Sequence, residues 1–174
     1  MSYYYLASSL PSISLDQKPA ISLDEFRSSC SDQLSADDAN ALNCVLDFDS
    51  ERVDHPFVNC WTARETQLRN ASARLRAMKN GNDAIDFLRE HPGFDVGIED
   101  RVEEAFNQSN PLKRERALDT IRWRILDELA GTDPFSSDAV LAYAVKLSLS
   151  ERWAIMDQDA GQAKINVAIT SSKT

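Results

Sequence analysis

Glycine and proline are scarce in this chain, five and six among 174 residues. That scarcity excludes a β-sandwich or barrel, whose many tight turns need both. Glycine-dependent motifs are missing as well. There is no phosphate-cradling glycine loop, no Gly-x-Gly-x-x-Gly and no Gly-x-Ser-x-Gly elbow, so nucleotide binding and acyl transfer lose their usual signals. Histidine occurs only as His55 and His91, and acid–base chemistry through the two would depend on folding to bring distant positions together. Cys30, Cys44 and Cys60 are odd in number and form no Cys-x-x-Cys pair, which reads as reduced, partly buried thiols; a zinc site would need closer ligands. Basic residues are outnumbered, 19 against 28 acidic ones, leaving a net charge of −9. A nucleic-acid backbone or an anionic lipid surface would be repelled, and nucleic acid is excluded as the expected partner. No segment approaches the roughly 20 apolar residues that cross a bilayer, and the opening Met1–Leu6 has neither the basic leader nor the apolar stretch of a signal peptide. A cytoplasmic chain without direct membrane insertion is the expectation.

What the chain does have is helix-forming material. Hydrophobic residues make up 43% and charged residues 27% of the sequence, an ordinary balance for a folded protein, and good helix formers fill most of its length. The stripe Ala142, Val145, Leu149, Trp153, Met156, Ala160, Ala163, Val167 keeps three-and-four spacing along a proline-free C-terminal segment, the pattern of one long packing helix. A second stripe, Phe57, Trp61, Leu68, Ala71, Leu75, Met78, is interrupted only by Arg64. Start and stop signals divide the rest. Ser22 with Glu25 is a capping box, Ser35 with Asp38 starts a second helix faced by Leu42, Val45, Leu46 and Phe48, and Pro56 opens the long helix that Gly81 ends near Lys79. Asn82–His91 predicts a short helix stopped by Pro92 and Gly93, and Ile98–Gln108 another. Asn110 and Pro111 start a helix with inner face Leu118, Ile121, Ile125, Leu129, closed by Gly131; Ser136 or Ser137 caps the last helix. Tyr3–Pro11 is aromatic and irregular, readable as an extended segment laid against the helices. Short linkers imply antiparallel neighbours. The expectation is therefore an all-α, antiparallel helical bundle with two or three long helices, one domain over residues 1–174, whose C-terminal helix, about 137–170, either packs home or projects.

Candidate sites are few, and neither a metal nor a cofactor is expected. Asp47, Asp49, Glu51, Asp54 and His55 could supply carboxylates to a hard divalent ion. Counted from Asp47, however, the sixth and twelfth positions that an EF-hand reserves for glycine and glutamate hold Arg52 and Val58, and acidic residues before a helix are favoured by its dipole alone. Arg64 sits on an apolar stripe, either snorkelling to an acidic neighbour or aimed at a partner. Trp123 lies on the charged face opposite Leu118, Ile121 and Ile125: a hot-spot candidate, or a sign that this helix is covered on both sides. Lys113, Arg114, Arg116, Arg122 and Arg124 beside it read as a solvated basic face, with the pair Glu115 and Asp119 nearby.

The segments Trp61–Asn70, with Trp61, Arg64, Gln67, Leu68, Arg69 and Asn70, and Tyr143–Trp153, with Lys146, Glu151 and Arg152, each place a base three positions after an aromatic residue. They resemble the helix pattern repeated in the C subunit of archaeal and bacterial V-type ATPases, the relative of the eukaryotic d subunit. Arg69 and Asn70 match it well, whereas Glu151 and Arg152 stand where Arg-Asn would be. The whole chain, with its Ser2–Pro11 opening, is similar to an uncharacterised bacterial family encoded in V-type ATPase gene clusters. That resemblance implies a non-catalytic subunit or assembly factor, peripheral to the membrane through the complex, that contacts the central stalk and membrane ring. Trp61, Arg64, Arg69, Trp123 and Trp153 are its candidate contact residues. A metal-dependent hydrolase using the Asp47–His55 cluster, or a free-standing helical adaptor, are the alternatives.

Overall fold

A computed structural model describes residues 2–47 and 53–171, with side chains of the last helix described through Asp157. The described residues form seven α-helices: α1 Tyr4–Ser9, α2 Leu23–Ser31, α3 Ala36–Leu46, α4 Pro56–Lys79, α5 Val96–Phe106, α6 Pro111–Ala130 and α7 Ser137–Ser171. A single 3-10 turn, Ile85–Phe87, lies between α4 and α5. Among the described residues no helix is long and apolar enough to cross a membrane.

Local chemistry accounts for most of the boundaries. Both halves of the Ser22–Glu25 capping box are made, the Ser22 hydroxyl accepting from the Glu25 amide and the Glu25 carboxylate accepting from the Ser22 amide at 2.7 Å. Ser35 caps α3, His55 caps α4 ahead of Pro56, Asn110 caps α6 ahead of Pro111, and Ser136 Oγ caps α7 by accepting from the Ala139 amide. Gly131 follows α6 at φ +69°, a backbone region that costs a β-carbon-bearing residue strain.

The two stripes divide between interior and surface. Phe57, Trp61, Leu68 and Ala71 are buried and Leu75 partly so, whereas Met78 is exposed. Ala142, Val145, Leu149 and Trp153 are buried, while Met156 and its neighbour Ile155 are exposed; Ala160, Ala163 and Val167 lie outside the described side chains, as does Phe48 of the expected α3 face. Each large side chain removed from water contributes roughly 1.5–3 kcal/mol, and this core draws on every α-helix. In it α7 packs on α2, α3 and α6, and α4 packs on α3, α5 and α6.

Two segments differ from expectation. Residues Tyr4–Ser9 are helical rather than extended, with Leu6 buried and the preceding Tyr3 amide donating to the Phe135 carbonyl at 2.6 Å. The chain then runs along α7 in register with it, tied where Tyr143 Oη donates to the Pro11 carbonyl (2.9 Å) and Ser150 Oγ to the Ser14 carbonyl (3.2 Å). Tertiary bonds fix this strap, which is why its own periodicity was uninformative. The Asn82–His91 segment, expected as a helix, contains only the 3-10 turn, and the Arg89 amide and carbonyl near its end are bonded to Asn70 of α4.

Candidate functional site

One face of α4 organises the polar interior. At its centre Glu65, buried, receives Arg122 from α6 through Nε at 2.9 Å and Nη2 at 3.0 Å, and Arg69 through Nε at 2.7 Å. Arg122 Nη1 also donates to Asp119 Oδ1 at 2.9 Å. Asp119 is fully buried, and its second oxygen accepts from Arg152 and, at 2.7 Å, from the Trp153 indole of α7. Two carboxylates and three guanidiniums thus join α4, α6 and α7 in one continuous set of charge-assisted bonds. Burial works against the charge on Arg122, but Glu65 and Asp119 outweigh it and hold its proton affinity above the ordinary guanidinium value. The Arg116 guanidinium lies 4.5 Å from the centre of the Trp153 ring and donates to the Leu15 carbonyl, closing the strap over this network.

A second polar knot lies at the N-terminal end of α4. The Tyr3 hydroxyl and Ser35 hydroxyl both donate to Asp38 Oδ2, the latter at 2.7 Å, and His55 Nε2 is 3.2 Å from Asp38 Oδ1. His55 Nδ1 accepts the Phe57 amide at 3.2 Å, so in this arrangement the ring proton sits on Nε2, facing Asp38. Burial pushes the Asp38 carboxyl up, yet the bonds from Tyr3, Ser35 and His55 outweigh it and hold it below the usual aspartate value.

Further along α4, Gln67 and Asn70 clamp the connection to α5. Asn70 exchanges a pair of bonds with the backbone of Arg89 (Nδ2 to carbonyl 2.7 Å, amide to Oδ1 3.0 Å), and Gln67 does the same with Asp95 (2.8 and 3.0 Å). Between these points the chain reverses at Pro92 and Gly93, with Gly93 at φ +74°. Beside the clamp, Cys44 and Val45 of α3, Trp61, Thr62, Thr66 and Arg76 of α4, and Phe87 and Arg89 of the connection line a groove of about 770 Å³.

The sequence-predicted contact residues separate. Trp61 and Trp153 are buried, Trp61 under the groove and Trp153 on Asp119, so neither presents a surface to a partner. Arg64 pairs with Glu128 of α6 at 2.6 Å, and Arg69 with Glu65. Trp123 is half-buried with the Lys146 ammonium 5.4 Å from its ring centre. Leu118, Asp119, Ile121, Ile125 and Leu126 form one broad buried side of its helix, while Thr120, Arg124 and Asp127 are exposed, and Trp123 lies at the margin of the buried side. The described members of the acidic cluster have separate partners. Asp47 pairs with Arg27 at 2.8 Å, Asp54 accepts from Asn59 at 2.9 Å, and both ring nitrogens of His55 are engaged as described; Asp49 and Glu51 lie outside the described residues. Among the described residues no group of three or more His, Cys, Asp or Glu side chains is arranged to hold a metal ion.

Sequence reasoning missed the Glu65–Arg122–Asp119 network by assigning Arg122 to the solvated basic face. The available signal was the spacing Asp119, Arg122, Leu126, which puts charge and a core leucine on one side of α6.

Residues 98–171 match a family model described as "Protein of unknown function (DUF2764)". The match spans α5, α6 and α7. No curated protein and no solved structure matches the chain.

Proposed function

We propose that this chain is a non-catalytic helical subunit or assembly factor of a bacterial V-type ATPase, similar to the C subunit, that binds the central stalk and membrane ring through helix faces. The observation that carries the reading is the role of Trp61–Asn70, the segment on which the resemblance rests. Trp61 enters the core, Arg64 reaches α6, Glu65 and Arg69 join the buried charge network, and Gln67 and Asn70 fix the connection to α5. Its polar side chains are spent on joining elements to one another, which suits an assembly part. The bundle arrangement belongs to the same proposal: α4, α6 and α7, of 24, 20 and 35 residues, run as antiparallel neighbours around the network. With no described helix fit to cross a bilayer, the membrane is reached through partners.

Affinity purification of the tagged chain from its own cells under mild detergent tests this. Stalk and ring subunits recovered in fixed ratio are the expected result. Recovery of the chain alone, from cells in which those subunits are plainly expressed, overturns it.

A further inference from the structure

The α4–α5 connection combines two properties that rarely coincide. It is apolar and exposed: Ile85, Phe87, Phe94 and Val96 keep 69, 73, 67 and 61% of their surface in water. It is also held in place, since Arg89 and Asp95 are each gripped by a two-bond amide clamp from α4. Gln67 and Asn70 are three residues apart on one helix, about 5–6 Å between β-carbons, so the two gripped points are neighbours. The segment between them closes through the Pro92–Gly93 turn as a small knuckle flanked by Phe87 and Phe94. Large apolar side chains on a pre-ordered loop are what a docking element requires, because little ordering entropy remains to be lost on binding.

Charge selects the occupant. The knuckle, residues 85–96, carries Asp86, Glu90 and Asp95 against Arg89, a net −2, and the rest of α5 to Glu104 adds Glu99, Asp100, Glu103 and Glu104 against Arg101, with Glu99 paired to Arg74. Such a surface is repelled by anionic lipid and by nucleic acid. It is also repelled by itself, because a two-fold dimer about this face would set like charges against like. We infer that the knuckle formed by residues 85–96 docks into an apolar groove rimmed by lysine or arginine on a partner protein, Phe87 and Phe94 entering the groove and Asp86 and Glu90 facing its rim. This rests on the reading of the chain as an assembly subunit and names the surface that reading requires.

The test uses the full chain and a designed amphipathic helix of about 18 residues, leucine on one face and lysine on the other, as a stand-in for the rim and groove. Fluorescence anisotropy is expected to show saturable binding. That binding should weaken by about ten-fold in the Phe87→Ser, Phe94→Ser double variant and in Asp86→Lys, Glu90→Lys, and a leucine–glutamate helix should not bind. The replaced side chains are exposed, so the melting temperature should not move. Unchanged peptide binding in the double variant overturns the inference. So does Phe87-dependent binding to phosphatidylserine vesicles, or a dimer that Phe87→Ser dissolves. Repeating the affinity purification with the double variant separates the two readings. Stalk and ring subunits held equally by both forms overturn the knuckle and leave the assembly role standing. A wild-type chain that recovers no such subunits but binds the lysine helix through Phe87 and Phe94 keeps the knuckle and removes the ATPase.

Discussion

The two polar knots along α4 bury carboxylates by opposite means. Glu65 and Asp119 are neutralised by guanidiniums, with Arg122 bridging them and Arg69 and Arg152 at the ends. Asp38 is satisfied by a phenol, a serine hydroxyl and an imidazole. A buried carboxylate matched to arginine faces donors whose charge does not change with pH, because the guanidinium never gives up its proton. One held by neutral donors and a histidine depends on protonation. The first kind of knot has donors of fixed charge; the second relies on hydroxyls and an imidazole to keep Asp38 ionised.

The largest effect should come from breaking the first kind. Asp119→Ala takes one of its two carboxylate partners from Arg122, leaves the Trp153 indole without its acceptor and opens a space at a fully buried position, which should cost about 3 kcal/mol, read as a large fall in calorimetric melting temperature. A loss below about 1 kcal/mol would mean that the network contributes nothing net. Next comes Asp38→Asn, expected to cost about 1–3 kcal/mol at neutral pH. The sign of its pH dependence follows from the lowered carboxyl: Asp38 stabilises the fold above its ordinary value of about 4, and that contribution disappears as pH falls from there toward the folded-state value. Melting temperatures of the wild type should therefore fall more steeply below about pH 4 than those of Asp38→Asn. Equal slopes would show that Asp38 is not part of the acid response.

A smaller and local effect is expected at Asn70. Asn70→Ala removes one of the two clamps, at about 1 kcal/mol, and amide exchange in residues 82–95 should quicken while α6 and α7 keep their protection. Uniform quickening would place Asn70 in the global fold instead. Smallest is Ser72→Ala. Its hydroxyl is buried without a hydrogen-bond partner among the described residues, so the substitution should change stability by no more than about 0.5 kcal/mol, on the stabilising side. A clear loss would reveal a bond that the fold conceals.

Helix existence was legible because its signals are local. The Ser22–Glu25 box, Pro56, Asn110 with Pro111 and Gly131 each set a boundary within a residue or two of where it falls. The Asn82–His91 segment was misread because a side chain outside it helps decide its shape: the Asn70 amide takes the Arg89 backbone groups that a helix would have used. The Tyr4–Ser9 helix was unreadable for a similar reason, being set against Phe135, more than a hundred residues away. The network was half-legible. Arg69 stood out by motif, but Arg122 was recognisable only by its distant partner, since Glu65 lies 57 residues from it. For the Asp38 knot, sequence supplied the Ser35 cap and no hint of Tyr3 or His55.

Asp119 also bears on how the molecule would carry a mechanical load. Its carboxylate holds Arg152 and Trp153 on one side and Arg122 on the other, and Arg122 holds Glu65. Trp153 is the last buried position among the described side chains of α7, so a pull or twist that reaches Trp153 along that helix is passed to this carboxylate. From there it passes across α6 to the middle of α4 through bonds that must slide together to yield, and the strap along α7 is not left to bear it alone.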